Sequence, residues 1–329
     1  MDDRRVVSGV VYVIKHGLQW KDAPDEYGPH KPLYNRFVNK MEDMTTQSAE
    51  QLLNQTAINL ESYLRNMRRI SDAMYYSVIK DKDLAVDSVD EEMNLLYEAN
   101  KDNLISIACY TNDGKLVAAA PITNEKDNSD IVDQEWFVNA VDQMENLHFS
   151  TPHVQNLFDN ATYRYYWVVS LSRAVELTSN GNSTLGVLLV DMNYSSIEQL
   201  FNKANTDNSS EYVYLMDSDG EIIYHPKQKL IYTNLYEENN LEAVHYDDGS
   251  HQEIFQGEKR LITVKTVSYT GWKIVSVVPM SAFNMGLYGT RMFVIMLMAL
   301  SILTIIIINQ LVSARIAKPL QRLNESVKE

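Results

Sequence analysis

A long apolar stretch near the end of the chain constrains its fold more than any other feature. Residues 292–312 read MFVIMLMALSILTIIIINQLV, and no charged residue, glycine or proline lies between Met292 and Ile308. A helix of about 20 such residues is long enough to cross a bilayer core of ~30 Å. We therefore predict a transmembrane helix over residues 290–312; the other interpretation is a fully buried helix of a soluble domain.

Basic residues around this stretch predict its orientation. Arg291 stands at one end, whereas Arg315, Lys318 and Arg322 follow the other. Since Lys and Arg accumulate on the cytoplasmic side of a membrane, we expect a single-pass plasma-membrane protein with a cytoplasmic C-terminus and an extracellular region before the helix. Residues 1–40 hold no convincing secretory signal, because Gly9 interrupts their short apolar run. Sequence alone leaves open how the region would be exported.

The charge distribution bears on the partners of the chain. The net charge is −15, and residues 41–312 carry 18 basic and 37 acidic side chains, whereas residues 1–40 carry 7 and 5. Phosphate binding requires a basic surface, so we expect no nucleic-acid partner for residues 41–329. A solvated acidic surface explains the excess most simply. Cys109 stands alone in the chain and is predicted to be a buried structural thiol.

Residues 1–40 carry a motif of their own. Val6, Val10 and Val13 have helical spacing, and prolines and glycines follow in a loop. The segment resembles the N-terminal region of insertion-sequence transposases at Gly17, Trp20, Asp22, Pro24, Tyr27, Gly28, Pro29, Tyr34, Arg36 and Phe37. The resemblance implies a helical unit that helps a larger enzyme engage DNA, but nothing after residue 40 resembles that family's catalytic domain. A DNA-binding fragment and a genetic remnant without function both stay open.

The middle of the chain predicts an α+β fold. Residues 41–82 lack glycine and proline and carry a narrow apolar stripe, which predicts a long amphipathic helix. Two units follow, residues 83–205 and 206–285, and each opens with a strand, a turn containing Asp-Gly and a second strand, at Leu104–Pro121 and Glu211–Pro226. We therefore expect a long helix that flanks two antiparallel-sheet units.

This order resembles the double Cache family of extracytoplasmic sensors. The resemblance rests on DQEWFVNA, LGVLLVDMNYSSIEQL, VYLMDSDGEIIYHP and GWKIVSVVP, while residues 313–329 look like the first helix of a HAMP linker. It implies two PAS-like units, with residues 83–205 distal and 206–285 proximal to the membrane, in a homodimeric receptor. The whole resembles the input half of a sensor histidine kinase, truncated before its output domain.

We find no enzymatic motif, and we expect neither a cofactor nor a metal site. No Gly-rich phosphate loop or Gly-x-Ser-x-Gly elbow occurs in the sequence. Asp217 and Asp219 open a segment like a calcium loop, but its twelfth position is Gln228, and turn chemistry explains both acids. His245 and His251 are interpreted as loop histidines.

A ligand pocket in the distal unit is the better candidate. In amino-acid-sensing relatives, the family pattern is a Tyr, an Arg two residues before a Trp-aromatic pair, a Pro-Tyr-x-Asp and a closing Asp. This chain keeps the aromatic pair and the closing acid. It has Ser129 at the position of the first Tyr of the pattern and a glutamine at the position of the Arg. The resemblance thus implies six candidate ligand-binding residues, Gln134, Trp136, Phe137, His153, Gln155 and Asp191.

These departures bear on the ligand. Arg forms a two-pronged hydrogen bond with a carboxylate, worth about 1.5–3 kcal/mol, and Gln134 cannot replace it. We therefore expect an uncharged polar or sugar-like ligand in place of a free amino acid. The competing interpretations are core packing for Trp136 and Phe137 and a helix N-cap for Asp191. The predicted function is extracytoplasmic small-molecule sensing; the alternative is a transposase-derived fragment fused to a disrupted, non-functional sensor.

Overall fold

The computed structural model describes residues 3–121, 130–144, 146–158, 166–205, 211–282, 296, 299–308 and 310. The chain divides into two compact units, Met1–Thr45 with Pro279–Glu329, and Thr46–Val278. The domain boundaries predicted from the sequence stay predictions.

The first unit contains helix α1 (Asp3–His16) and two single 3₁₀ turns, Trp20–Asp22 and Asp25–Tyr27. Helix α1 ends just before Gly17, whose φ of 62° is accessible to glycine at low cost. The indole of Trp20 then packs against the rings of Tyr34 and Phe37, with centroids 5.8 and 5.2 Å away. The aromatic positions of the transposase-like motif therefore form a small local core.

Among the described residues, no helix is both long and apolar enough to span a membrane. About half of the predicted span, residues 290–312, falls outside the described residues, and residues 299–308 within it are helical. The predicted start of a HAMP linker, residues 313–329, lies wholly outside them.

Helix α2 (His30–Ala73) begins 11 residues earlier than the predicted start at residue 41. Pro29 precedes it and Pro32 lies in its first turn, where a missing N–H costs no helical hydrogen bond. The prediction was wrong because it took these prolines as loop residues. At its other end, α2 passes into a π-helical turn, Met74–Ile79, in which Lys80 N donates to Tyr75 O at 2.9 Å.

Two antiparallel sheets make up most of the second unit and confirm the predicted α+β fold with a long helix. The first sheet has the strand order β2-β1-β6-β5-β3, and β4 also pairs with β5. Its strands are β1 (Leu104–Thr111), β2 (Leu116–Ala120), β3 (His148–Phe149), β4 (His153–Val154), β5 (Trp167–Ser179) and β6 (Asn182–Asn193). The helices of this part are α3 (Asp90–Asn100), α4 (Glu135–Asp142) and α5 (Ser195–Ala204).

The second sheet has the order β8-β7-β11-β10-β9. Its strands are β7 (Tyr212–Met216), β8 (Ile222–Tyr224), β9 (Gly249–Phe255), β10 (Glu258–Thr266) and β11 (Lys273–Pro279), and the short helices α6 (Gln228–Tyr232) and α7 (Asn240–Ala243) lie between β8 and β9. At the β7–β8 turn, Asp217 Oδ1 accepts the N–H groups of Asp219 and Glu221 at 2.9 and 2.8 Å. This is the turn chemistry expected from the sequence.

The first sheet is buried on both faces. One face joins a core with α2, whose Leu53, Leu60, Leu64 and Met67 are fully buried. Each such side chain contributes roughly 1.5–3 kcal/mol on leaving water, so this stripe holds the helix to the sheet. Cys109 belongs to the same core, and burial raises the pKa of its thiol to about 12, as expected of a structural cysteine.

Two polar contacts tie the end of the long helix to strand β5. Arg173 Nη1 donates to Asp72 Oδ1 at 2.6 Å, and its guanidinium lies over the rings of Tyr75 and Tyr76, 5.2 and 5.8 Å from their centroids. Beyond the π-helical turn, Asp83 accepts the N–H groups of Asn180 and Gly181 at the tip of the β5–β6 hairpin. The backbone after α2 is thereby fixed to this sheet.

Candidate functional site

A row of polar side chains crosses the sheet face opposite α2. Ser106 on β1, Asp191 on β6 and Ser170 on β5 occupy paired register positions. Since side chains alternate along a strand, they lie on the same face as Ala108 and Leu189, which belong to the core against α4. The row thus places three polar groups within an apolar layer, next to α4.

Asp191 is the centre of this row. It is 1% exposed, and its two oxygens accept the hydroxyls of Ser106 at 2.7 Å and Ser170 at 2.5 Å. Burial raises the pKa of the Asp191 carboxyl, while the two serine hydrogen bonds and the nearby His153 act in the opposite direction. The raised pKa shows that desolvation outweighs these donors.

His153 on β4 extends the row. Its Nδ1 lies 3.0 Å from Thr151 O, and its Nε2 lies 3.3 Å from Ser170 Oγ. A carbonyl oxygen only accepts, so Nδ1 carries a proton in this arrangement. Ser170 Oγ donates to Asp191 Oδ1 and lies within hydrogen-bond distance of His153 Nε2, so it links the two side chains. Asp191, Ser170 and His153 thus form one continuous polar chain on this sheet face.

Trp136 covers the neighbouring part of the face. It is 7% exposed, its ring centroid is 5.7 Å from that of Tyr110, and its carbonyl accepts Ser172 Oγ at 2.8 Å. Ser172 follows Ser170 by two residues on β5. The backbone of Trp136 and the side chain of Asp191 are therefore both hydrogen-bonded to serines of the same strand. Phe137 is 3% exposed and packs edge-on against Trp136. Both aromatic residues belong to the core against this face.

The other candidate residues are less closely connected. Gln134 precedes α4, and its Nε2 donates to Asp130 O at 3.4 Å. Gln155 is buried, and its backbone N–H donates to Tyr166 O at 2.9 Å. Among the described residues, no hydrogen bond joins either glutamine to Asp191. Ser129, which stands at the first Tyr position of the family pattern, lies outside the described residues.

The helix-cap interpretation of Asp191 is wrong. The N–H of Ser195 at the start of α5 is accepted by Asn193 Oδ1 at 3.0 Å, two residues further along. The sequence-based search also missed Ser106, Ser170 and Ser172. Their signal was small polar residues at alternate positions of otherwise apolar strands, as in Val169-Ser170-Leu171-Ser172. On a buried sheet face, such residues need partners, and the partners lie in the site.

A second buried polar cluster lies against the other sheet. Arg260 on β10 is 5% exposed and donates through Nε to Glu253 Oε1 at 2.8 Å and through Nη1 to Glu238 Oε1 at 2.9 Å. Glu238 also accepts Tyr212 OH at 2.5 Å and lies 3.3 Å from His225 Nε2. Although burial acts to raise it, the pKa of Glu238 is lowered to about 2 by His225, Tyr212, a backbone N–H and Arg260.

Comparison with known families agrees with this architecture. The sequence pattern of the Cache domain family matches residues 37–286, most of the chain, and the protein therefore belongs to that family. Residues 1–49 are similar to a second pattern, described as a transposase of the IS4/5 family. No curated protein matches the chain.

Solved structures share this fold. The ligand-binding domain of the Pseudomonas aeruginosa PAO1 amino acid chemoreceptor PctC, in complex with GABA, is 17% identical, with a TM-score of 0.54 over 71% of this chain and 99% of that domain. The corresponding domain of PctB with L-Arg is 16% identical, with a TM-score of 0.56 over 75% and 93%. The sensory domain of Campylobacter jejuni Tlp3 with isoleucine is 15% identical, with a TM-score of 0.53 over 75% and 98%.

Proposed function

We propose that this chain is the extracytoplasmic, small-molecule-sensing input module of a transmembrane receptor, and that it binds its ligand without transforming it. The observation that carries the proposal is Asp191, a buried acid held between two serines on the Cache sheet face beside Trp136. A desolvated acid with a raised pKa is costly for a fold to keep, and perturbed groups of this kind concentrate at functional sites. Membership of the Cache family supports the same conclusion.

The ligand class follows from the charge of the site. The position of the family's carboxylate-binding Arg holds the uncharged Gln134, and the Asp191–Ser170–His153 chain offers hydrogen-bonding groups to a ligand. The similar chemoreceptor domains are complexes with amino acids such as L-Arg and isoleucine. We propose instead that this module binds an uncharged polar or sugar-like molecule, whose hydroxyls reach the polar row while Trp136 provides an aromatic surface.

The receptor context is also a proposal. The apolar residues 290–312, the basic residues after them and the HAMP-like residues 313–329 support a plasma-membrane receptor with an extracellular sensor region. The helical seam of such a linker supports a homodimer, and the resemblance supports the input half of a sensor histidine kinase. Protease treatment of intact cells tests the orientation, because residues 41–285 would be cleaved and the C-terminus protected.

A thermal-shift screen of the full chain tests the ligand class. Glucose, galactose, glycerol, L-serine, GABA and L-arginine serve as probes. A ligand at 100 times its dissociation constant adds about 2.7 kcal/mol to the free energy of unfolding, which gives a clear rise in melting temperature. We expect a neutral polyol or sugar to produce it, and Trp136→Ala and Asp191→Asn to abolish it.

The matched control is Trp167→Ala. Trp167 lies on β5 like Ser170, but at an odd-numbered position of the alternating strand, away from the polar row. Its substitution should leave the ligand-induced shift intact. A strong shift with a simple amino acid, abolished by Trp136→Ala, would overturn the proposed ligand class while leaving the sensing function in place.

Residues 1–49 favour a second candidate function, because they match the IS4/5 transposase pattern. In that case, the chain is a transposase-derived DNA-binding fragment fused to a disrupted sensor. With seven basic and five acidic side chains in residues 1–40, phosphate contacts alone would give weak, strongly salt-dependent binding. Retention of duplex DNA by the chain at low salt, lost when Arg4 and Arg5 are replaced by Gln, would support this function.

A further inference from the structure

A cleft of about 450 Å³ lies between the two sheets of the Thr46–Val278 unit. We call it the junction cleft. The β3–β4 turn of the first sheet forms one wall, and α6 with the segment after it forms the other. Its lining includes Thr151, Pro152, Ile222, Tyr232, Tyr236 and Glu237. Its volume is in the range of small-molecule sites.

The junction cleft carries negative charge. Glu221 and Glu237 line it, and among the described lining residues there is no lysine, arginine or histidine. Neither glutamate forms an ion pair within the described part of the chain, in contrast to Glu238, which is held by Arg260. Two uncompensated carboxylates at a concave surface concentrate cations from solution.

Aromatic rings complete the lining. Tyr236 already attracts a cation, since Lys227 Nζ lies 4.3 Å from the centroid of its ring, and the ring of Tyr232 lies tilted beside that of Trp167, with the ring centroids 6.3 Å apart. Carboxylates together with aromatic faces are the groups that recognise organic ammonium ions. No three His, Cys, Asp or Glu residues in the described ranges lie close enough to hold a metal ion. The chemistry therefore favours an organic amine over a divalent metal.

We propose that the junction cleft is a second binding site, which takes a small organic amine. Ammonium groups of the ligand would face Glu221 and Glu237, and its alkyl part would lie against Tyr232 and Ile222. The site is separate from Asp191, and the proposal does not depend on what the candidate site of the first sheet binds.

The junction cleft is also placed to influence that site. Thr151, which lines it, accepts a hydrogen bond from His153 Nδ1, and Ser150 beside it accepts the N–H of Ser170 at 2.9 Å. An amine that contacts the β3–β4 turn would bias the position of His153 and, through Ser170, of Asp191. Occupancy of the cleft and of the Asp191 site would then be thermodynamically linked.

Calorimetric titration of the full chain with spermidine and with choline tests the second site. We expect saturable binding of at least one probe. The variant Glu221→Gln/Glu237→Gln should weaken it about tenfold, because it removes both carboxylates that would face the ammonium group, and solvent screens part of their attraction. The control variant Glu91→Gln/Glu176→Gln removes the same charge from exposed positions outside the cleft, and it should bind like the wild type.

Further measurements locate the site. Hydrogen exchange with bound amine should slow in peptides that cover residues 150–155 and 228–238. Asp191→Asn should retain amine binding, which separates the cleft from the candidate site of the first sheet. The proposal is overturned if neither probe binds, if both charge-removing variants weaken binding equally, or if Asp191→Asn abolishes binding.

Discussion

Replacement of Arg260 by Met should destabilise the second sheet more than any exposed substitution in the chain. The guanidinium joins Glu253 at 2.8 Å and Glu238 at 2.9 Å, and the side chains of all three residues are at most 5% exposed. Met fills a similar volume but leaves both carboxylates buried without their cation. Breaking a buried ion pair in this way costs about 3–5 kcal/mol, because the remaining charge cannot be rehydrated.

The lowered pKa of Glu238 determines how the stability lost in Arg260→Met should change with pH. The pKa of Glu238 is about 2 in the folded chain and 4.5 ordinarily, so its stabilising contribution is complete above pH 4.5 and is lost as the pH falls towards 2. Without Arg260 the pKa of Glu238 rises, and the variant loses less on acidification. The difference between wild type and variant should therefore be largest near pH 7 and should shrink towards pH 3.

Urea unfolding followed by tryptophan fluorescence at pH 7 and pH 3.5 measures both the loss in the free energy of unfolding and its change with pH. Lys101→Met is the matched control, since Lys101 pairs with Glu98 at 3.0 Å, but both side chains are more than half exposed. It should leave the free energy of unfolding unchanged. A loss below about 1 kcal/mol for Arg260→Met, the range of a surface pair, would refute the reasoning. So would a difference between wild type and variant that grows on acidification.

Three further substitutions test other parts of the structure. Asp83→Ala should accelerate amide exchange of Asn180 and Gly181, whose N–H groups Asp83 accepts, and unchanged exchange would contradict the contact. Gly186→Ala should lower stability by about 1–3 kcal/mol, because its Cβ would lie 2.6 Å from the Tyr110 carbonyl; an unaltered melting temperature would contradict this. Asp191 has a raised pKa, so it costs stability as the pH rises above its ordinary 3.8, and Asp191→Asn should flatten that part of the pH profile of melting.

The α+β fold was predictable because its signals are periodic. The apolar stripe of α2 and the two Asp-Gly hairpins both depend on local spacing, and both are present in the structure. The start of α2 was not predictable in this way, because prolines disfavour a helix interior but are accepted in the first turn of a helix, as at Pro32. Strand β9 was also missed, because an edge strand such as GSHQEIF exposes alternate polar residues and looks like a loop.

The candidate site was only partly predictable. The resemblance pointed to Trp136 and Asp191, but the serines that hold Asp191 come from strands 21 and 85 residues away in sequence. Their pairing depends on sheet register, and no local pattern encodes that register across such separations. The cluster around Arg260 was unpredictable for the same reason, since Glu238 reaches it from a loop 22 residues away.

The π-helical turn at Met74–Ile79 has an evolutionary consequence. A π turn contains one residue more than an α-helical turn, and each residue of an α-helix advances it by about 100°. Deletion of the exposed Ser77 would convert the π turn into an ordinary α-helical turn. The buried side chains before and after the turn would then still face the same side of the helix. Loss of one residue at Asn66 would instead rotate Met74 out of the core by about 100°. Within the second unit, the π turn is therefore the place where this helix can change length by one residue and still fit its sheet.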